Sequence, residues 1–232
     1  MTQPSLPELF RLQAHYCQVL ESPLYEHLLL ETADDFERGG PSARVLAPHA
    51  TDEAKTMLSL RFMGAVHRAV IRGEAPRLAA FYPSAGGKVD LGRVWSAFAQ
   101  VLEELRRELS DDLAATVQTN EVARSAGLLG GFLTVADQTG LPLRVLEVGA
   151  SAGLNLRFDC YRYESGSQTW GDPASPVNLP GIIEGDGFPW SVEAEVVERK
   201  GCDASPLDPS SDDDVLLLRS FVWPDQVERR GQ

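Results

Sequence analysis

The sequence is poor in cysteine, in long apolar runs and in basic residues. Its three cysteines are odd in number and widely spaced, which argues against a disulfide framework and indicates reduced thiols. No apolar stretch approaches the roughly 18 residues that a membrane-spanning helix requires. The N-terminal segment, MTQPSLPELF, lacks the basic and apolar regions of a signal peptide. We therefore expect a cytoplasmic protein that does not bind membranes.

The small number of basic residues also limits the partners. Lysine and arginine number 21 against 34 aspartate and glutamate residues, which gives a formal net charge of −13. Proteins bind a phosphate backbone by neutralising it with lysine and arginine, and a strongly acidic surface repels it. A nucleic acid is therefore an unfavourable partner, and a small-molecule or protein substrate fits better. The four histidines and three cysteines show no metal-ligand spacing, so no metal site is expected.

Residues 1–140 show the apolar periodicity of helices. Helix starts are indicated by proline or capping residues at four places: Ser22–Pro23, Thr51, Asp90 and Asn120–Glu121. The last of these helices covers 120–138 and leads directly into the first predicted strand. Asn120 and Glu121 therefore have two interpretations, as a helix cap or as side chains that face a ligand site. We predict a helical N-terminal region over 1–140 and a second region over 141–232.

The most informative segment is LRVLEVGASAGLNL at residues 143–156. The apolar residues of 143–148 form the run that is typical of a parallel strand in the interior of a sheet. Small residues follow, and Gly149 lets the backbone turn sharply and approach a ligand. A helix is predicted over 152–163, and its free N–H groups and positive dipole end would face that ligand. This order is typical of a nucleotide-type site in an α/β sheet.

Three known ligand-binding or catalytic motifs contain a glycine-rich turn of this kind, and two of them fit the segment less well than the third. The dinucleotide fingerprint G-x-G-x-x-G, started at Gly149, has Ser151 and Leu154 at its second and third glycine positions. The hydrolase elbow G-x-S-x-G is matched in full by Gly149, Ser151 and Gly153. Its triad needs a histidine after the serine, however, and all four histidines precede it: His15, His27, His49 and His67. A serine hydrolase is therefore the less favoured alternative.

The third motif is the methyl-donor turn of class I methyltransferases, an acidic residue followed by small residues at alternate positions. Glu147, Gly149, Ser151 and Gly153 supply this pattern, with serine in place of the usual middle glycine. In such turns the acidic residue supports the amino-acid end of S-adenosylmethionine, and the small residues let the adenosyl part lie across the turn. A packing turn without a ligand, or a turn that binds another ligand, stays open as an alternative.

A second strand is predicted after an insertion. Residues 165–190 are rich in glycine, proline and serine and indicate an ordered loop or a hairpin, in which Asp172 is a turn residue. The valine pair at 196–197 then indicates a strand that ends near Asp203. An acidic residue at this point commonly holds ribose hydroxyls, but Asp203 lies much further from Gly149 than the usual spacing of about 20 residues. Asp203 is therefore either a ribose ligand or a turn residue.

These segments together predict a site for S-adenosylmethionine. The candidate cofactor-binding residues are Glu147, Gly149, Ala150, Ser151, Gly153, Asn155 and Asp203. Methyl transfer chiefly requires alignment of the nucleophile, the methyl carbon and the sulfur, so positioning matters more than a dedicated acid or base. We accordingly assign no catalytic residue.

Six strings in the sequence carry a resemblance to a known family. They are TNEVARSA (119–126), LRVLEVGASAGLNL (143–156), YRY (161–163), WGDPASPV (170–177), ERKGCDASPLD (198–208) and SFVWPDQ (220–226). With these strings the chain resembles the bacterial family known as domain of unknown function 2332. The resemblance implies a methyltransferase-like α/β domain behind a helical N-terminal region, without an established activity. A binding or regulatory module of the same fold, without turnover, is the alternative.

The end of the sequence bears on activity. The three acids at 212–214 indicate a helix start, VLLLRSFVW is compatible with a strand or a helix, and Pro224 would stop it. The resemblance implies that family members continue well past the WPDQ segment, so we expect a partial Rossmann-like sheet in a truncated chain. An open sheet edge would promote self-association. A pocket without its adenine-side wall would bind an adenosyl ligand weakly and give no turnover.

Overall fold

Two units, each with its own hydrophobic core, make up the chain. The computed structural model describes residues 4–51, 56–181 and 188–226. The helical unit consists of the residues up to Gln118 together with the segment that begins at Asp212. The sheet unit consists of Thr119–Ser211. This division differs from the boundary at residue 140 that the sequence suggested, for reasons given with each element.

Helices dominate the part of the chain that the structure describes. They are α1 (Leu6–Val19), α2 (Pro23–Glu37), α3 (Pro41–Leu46), α4 (Leu58–Ile71), α5 (Pro76–Ala79), α6 (Leu91–Glu104), α7 (Arg106–Asp112), α8 (Arg124–Thr139) and α9 (Asp212–Ser220). Short 3-10 segments cover Ala47–His49, Pro83–Ala85 and Asn155–Cys160. Of the helices, α8 belongs to the sheet unit and the others belong to the helical unit.

Local sequence explains several helix starts. Pro23 occupies the first turn of α2, where its missing N–H has no cost. Asp90 accepts a hydrogen bond from the Gly92 N–H at 3.2 Å and caps α6. The predicted starts of α2 and α6 are therefore confirmed. The start predicted at Thr51 falls beside 52–55, which lie outside the described residues, and α4 begins further along the chain.

Three phenylalanines mark the centre of the helical core. Phe62 on α4 packs edge-on against Phe10 of α1 and Phe98 of α6, with ring centroids 5.7 and 6.0 Å apart. All three rings are buried. Because α4 is buried along nearly its whole length, its polar side chains must find partners inside the unit.

The C-terminal segment is fastened to the helical unit. α9 packs against α4. The Phe221 ring lies so close to Gly64 of α4 that a Cβ at this position would come within 2.7 Å of it. The Asp225 carboxylate accepts hydrogen bonds from the Ser22 hydroxyl at 2.6 Å and from the Leu24 N–H at 3.0 Å. It therefore acts as a remote cap of α2. The predicted helix start at the acidic triplet is confirmed by α9, which packs against α4 of the helical unit.

Strands are confined to the sheet unit in the described part of the chain. They are β1 (Leu143–Val148), β2 (Arg162–Ser165), β3 (Gln168–Trp170), β4 (Asn178–Pro180) and β5 (Val196–Cys202). β1 and β5 pair in parallel. In a second sheet, β2 lies between β3 and β4. It is antiparallel to β3 and parallel to β4.

Strands β1 and β5 confirm two sequence predictions. The run 143–148 forms a parallel strand, and the predicted second strand ends at Cys202, one residue before Asp203. β1 pairs with β5 along one edge and has no second partner among the described residues. The predicted position of β1 in the interior of a sheet is therefore not observed there.

The helix predicted over 152–163 is wrong. A 3-10 segment covers Asn155–Cys160 instead, and the chain then enters β2. The side chains of Tyr161 and Tyr163 are buried while their neighbours are half-buried, which is the two-residue period of a strand. The Tyr163 hydroxyl donates to the Phe158 carbonyl at 2.9 Å and ties β2 back to the 3-10 segment.

Helix α8 provides apolar support for the sheet unit. Its buried face carries Leu129 and Leu133, which share a core with Val145 of β1. The Phe132 ring stacks on Phe158 with centroids 4.4 Å apart. These contacts explain why α8 belongs with the strands, although the sequence placed it in the helical region.

The architecture is thus a mixed one, in which helices come first and a small parallel sheet follows. None of the helices in the described ranges is long and apolar enough to cross a bilayer. The turn that follows β1 lies at the carboxyl end of a parallel strand, which is the edge where open α/β sheets bind ligands.

Candidate functional site

The turn after β1 has an unusual backbone. Gly149 and Gly153 have φ angles of 74° and 73°, in the left-handed region that glycine adopts without strain. Ser151 has a φ of 51°, which a residue with a Cβ adopts at a cost of about 1–3 kcal/mol. The path of the backbone therefore favours glycine at positions 149 and 153 and strains the serine at 151. We call the segment 149–153 the glycine turn.

Two backbone hydrogen bonds join the glycine turn to the end of β5. The N–H groups of Gly149 and Ala150 both donate to the Cys202 carbonyl, at 2.8 and 3.2 Å. Ala150 is buried, and its methyl group occupies the space beside Gly201. A Cβ at position 201 would come within 2.6 Å of that methyl carbon, so glycine is needed there. Ala150 thus packs the two strand ends together.

The Asp203 carboxylate holds the glycine turn from the other strand. Its Oδ2 accepts a hydrogen bond from the Ser151 N–H at 2.8 Å, and its Oδ1 accepts one from the Ser205 N–H at 2.8 Å. These bonds, that of Ser205 first, lower the pKa of Asp203. The structure brings Asp203 to the turn although Ser151 is 52 residues away in sequence. The Ala204 N–H also contributes to the lowered pKa, and because a carboxylate offers about four acceptor positions the clamp and the ribose interpretation are compatible.

Glu147 leaves a buried acceptor atom unused. It lies on β1 just before the glycine turn, and its Oε2 is buried without a hydrogen-bond partner among the described residues. Burial raises the pKa of Glu147, and the charge of Arg124 acts in the opposite direction. A buried acceptor without a partner costs about 1–3 kcal/mol. The site therefore favours a ligand that brings a donor, above all a cation, to Glu147.

Asn155 provides a second unused acceptor, beyond the glycine turn. The residue is 7% exposed, and its Oδ1 has no hydrogen-bond partner within the described chain. The backbone just before it is fixed by two bonds of Leu154. Its N–H donates to the Asn120 Oδ1 at 2.9 Å, and its carbonyl accepts from the Tyr161 hydroxyl at 2.6 Å. Asn155 is thus presented on a rigid backbone.

Asn120 supports the site rather than a helix end. α8 begins at Arg124 without a side-chain cap, so the capping prediction for Asn120 and Glu121 is wrong. The Asn120 amide instead holds the chain directly after the glycine turn through Leu154.

Two residues of this region escaped the sequence analysis. Gly201 interrupts β5 and allows the close approach of Ala150, and a glycine inside a strand is a known signal of such contact. Tyr161 binds the carbonyl of Leu154, and burial raises its pKa to about 12. Its signal was the alternation of YRYES, which indicates a strand rather than a helix.

The surroundings of Ser151 give the hydrolase elbow no support. The sheet unit, Thr119–Ser211, contains no histidine in its sequence. Within this unit Ser151 therefore lacks the base that its triad requires. The Ser151 N–H is engaged by Asp203, which fits a structural role in the turn.

Comparison with known proteins bears on the whole chain rather than on the site alone. No curated protein and no solved structure shows a significant match to it. A family model described as an uncharacterized protein conserved in bacteria matches residues 7–232, which include the glycine turn and both strands of the parallel sheet. The chain therefore belongs to the bacterial family DUF2332.

Proposed function

We propose that the sheet unit binds S-adenosylmethionine at the glycine turn and that the protein is methyltransferase-like, with a small molecule or a protein as the substrate class that its site fits. The observation that carries this proposal is the buried Oε2 of Glu147, which has no partner among the described residues and lies at the carboxyl end of a parallel strand. Open parallel sheets bind their ligands at this edge. A donor group on a ligand would compensate the desolvation of this carboxylate.

The amino-acid end of S-adenosylmethionine fits the two unused acceptors. An ammonium group offers three N–H donors and a positive charge, and Glu147 and Asn155 each offer an oxygen that the described protein leaves unbound. A hydrogen bond between charged groups is roughly twice as strong as a neutral one. Because burial raises the pKa of Glu147, a cation at this position would also favour its ionised form.

The rest of the glycine turn suits the adenosyl part. A Cβ built at Gly149 would meet no atom within 4 Å, so the backbone there is open to a ligand. Asp203 keeps lone pairs for ribose hydroxyls while it holds Ser151. The residues that would hold the cofactor are Glu147, Gly149, Ala150, Ser151, Gly153, Asn155 and Asp203.

The cofactor would supply an electrophilic methyl group. The residues of this chain would contribute orientation, by fixing the amino-acid end at Glu147 and the ribose at Asp203. The net charge of −13 favours an uncharged or cationic substrate over a nucleic acid.

Calorimetry with S-adenosylmethionine and S-adenosylhomocysteine tests the proposal. We expect saturable binding of both, and an affinity at least about tenfold lower in E147Q, which keeps the size of the side chain and removes its charge. The matched control is E164Q, because Glu164 lies in the same unit and pairs with Arg162 at 2.5 Å. E164Q should bind like the wild type. No heat from the folded wild type at millimolar ligand, or equal affinity in E147Q, would contradict the proposal.

A separate assay of methyl transfer distinguishes an enzyme from a binding module of the same fold. Consumption of S-adenosylmethionine in the presence of a candidate substrate pool supports a methyltransferase. Binding without consumption supports a regulatory module that uses the same residues.

A further inference from the structure

His67 and Ser84 form a hydrogen-bonded pair in the helical unit. The Nε2 atom of His67, on α4, lies 2.8 Å from the Ser84 hydroxyl oxygen. The other ring nitrogen, Nδ1, lies 3.0 Å from the carbonyl oxygen of Ser220 at the end of α9. His67 is fully buried, and Ser84 is partly exposed. A partly exposed serine thus contacts one ring nitrogen of a buried histidine, and the Ser220 carbonyl holds the other ring nitrogen.

The Ser220 carbonyl determines the tautomer of His67. A carbonyl oxygen only accepts hydrogen bonds, so Nδ1 carries the proton of the neutral ring and donates it to Ser220. Nε2 then has a lone pair, which accepts the hydrogen of the Ser84 hydroxyl. Serine, histidine and a third group that orients the histidine form the arrangement that activates a nucleophile.

The segment around Ser84 lies near the surface. Ser84 lies in the 3-10 segment Pro83–Ala85, which ends at Gly86 with a φ of 81°. A Cβ at Gly86 would meet no atom within 4 Å. Gly86 thus faces open space two residues from Ser84, which is itself partly exposed.

Tyr82 adds a second, independent observation. Its hydroxyl is buried without a hydrogen-bond partner among the described residues, and its ring centroid lies 5.6 Å from that of His67. Burial, and secondarily the charge of Asp225, raises the pKa of Tyr82, so the phenol keeps its proton and acts as a donor. The Tyr82 ring thus packs against the imidazole of His67 and helps to hold its orientation.

We propose that Ser84 is a nucleophile activated by His67 and that it accepts acyl groups from small, uncharged or cationic carboxylic esters. The strongly acidic chain disfavours anionic esters. This activity would belong to the helical unit and does not depend on the cofactor site proposed for the sheet unit.

The reaction balances without a further reagent. The Ser84 oxygen attacks the ester carbonyl carbon, its proton passes to His67 Nε2, and the carbonyl electron pair forms the oxyanion. The bond to the alcohol oxygen then breaks, and the departing alcohol takes the proton from His67. Water repeats the sequence on the acyl-serine and releases the carboxylic acid.

A fluorophosphonate probe, read out by peptide mass spectrometry, tests the proposal on the full chain. We expect one covalent adduct per chain, on Ser84, because the activated oxygen displaces fluoride from phosphorus. S84A should show no adduct at this peptide. In H67Q an amide can replace both hydrogen bonds of the imidazole but not its basicity, and we expect labelling to be at least about 100-fold slower. Hydrolysis of p-nitrophenyl acetate should fall in the same two variants.

The matched control is S110A, because Ser110 is a partly exposed serine whose carbonyl, rather than its hydroxyl, lies against a histidine. S110A should be labelled like the wild type. Circular dichroism establishes that each variant is folded. Absence of an adduct on Ser84 in the wild type overturns the proposal by itself, whether or not H67Q folds. Labelling of a folded H67Q at the wild-type rate also overturns it.

Discussion

The N–H of Ser151 donates a 2.8 Å hydrogen bond to the carboxylate of Asp203, and this bond couples the turn after β1 to the end of β5. Ser151 needs such support because its φ of 51° is strained for a residue with a side chain. The second oxygen of Asp203 binds the N–H of Ser205. The glycine turn is therefore held in shape by groups of the protein itself, which lowers the ordering cost of binding a ligand.

Removal of the Asp203 carboxylate should destabilise the sheet unit. In D203A the N–H groups of Ser151 and Ser205 lose their acceptor, and we expect the free energy of unfolding to fall by about 1–3 kcal/mol. The lower end applies because the carboxylate is partly exposed. The pKa of Asp203 is lowered by folding, so its stabilisation is present above the usual value of 3.8 and disappears as the pH falls through the lowered pKa. Urea denaturation at neutral and acid pH measures both effects.

D208A is the matched control for this prediction. The Asp208 carboxylate accepts hydrogen bonds from the N–H and the hydroxyl of Ser210, which is only two residues further along the chain. We expect a smaller loss of stability than in D203A. If D203A and D208A lose the same free energy of unfolding, the hydrogen bond between Asp203 and Ser151 contributes no more to stability than a local one.

Position 151 tests the backbone strain directly. The free energy of unfolding of S151G should equal that of the wild type or exceed it by up to about 1 kcal/mol. Glycine relieves the strain because it adopts a positive φ freely, but part of this gain is lost because glycine also raises the entropy of the unfolded chain. S151V should lose about 1–3 kcal/mol, since a β-branched residue is poorly tolerated there. S167G serves as the control, because Ser167 is an exposed turn residue without a positive φ. Strain at Ser151 is refuted if S151V proves as stable as the wild type.

The sequence predicted the parts of the fold that depend on local pattern. The strands at 143–148 and 196–202 follow from apolar runs, and the glycine turn follows from small residues at alternate positions. The helix predicted over 152–163 does not form, because Tyr161 and Tyr163 bury alternate side chains and the chain enters β2 after a 3-10 segment. Periodicity over so few residues does not separate a strand from a helix end.

Long-range partners could not be read from the sequence. Nothing in the local pattern of Asn120 indicates that its amide binds Leu154, which is 34 residues further along the chain. Asp225 likewise caps α2 from a distance of about 200 residues in sequence. The division of the chain depends on such contacts, which is why the boundary at residue 140 differs from the observed units.

The affinity for S-adenosylhomocysteine should depend on pH through Glu147. Burial raises the pKa of Glu147 in the free protein, whereas an ammonium group beside it would favour the carboxylate. Binding should therefore release protons, and the affinity should rise with pH through the raised pKa and then level off. Calorimetry between about pH 4.5 and 7, in buffers with different ionisation enthalpies, measures the protons released. E147Q should bind weakly and show no such slope, and a wild-type affinity that is flat over this range would contradict the role of Glu147.

The outward face of the parallel sheet should mediate self-association. Leu146 and Val148 on β1 are 73% and 90% exposed, although parallel strands are normally covered on both faces. Light scattering at increasing protein concentration should therefore show dimers or larger species, and L146K combined with V148K should reduce them. L128K is the control, because Leu128 is 51% exposed on α8 rather than on the strands. A wild-type protein that stays monomeric at high concentration speaks against this face as an interface.

A crystal structure of the protein grown with S-adenosylhomocysteine tests the central claim most directly. We expect the ammonium group of the ligand within hydrogen-bond distance of Glu147 and Asn155, with its ribose near Asp203 and its adenosyl part across the glycine turn. A glycine turn without ligand at millimolar S-adenosylhomocysteine, or a ligand bound elsewhere in the chain, would contradict the proposed cofactor site.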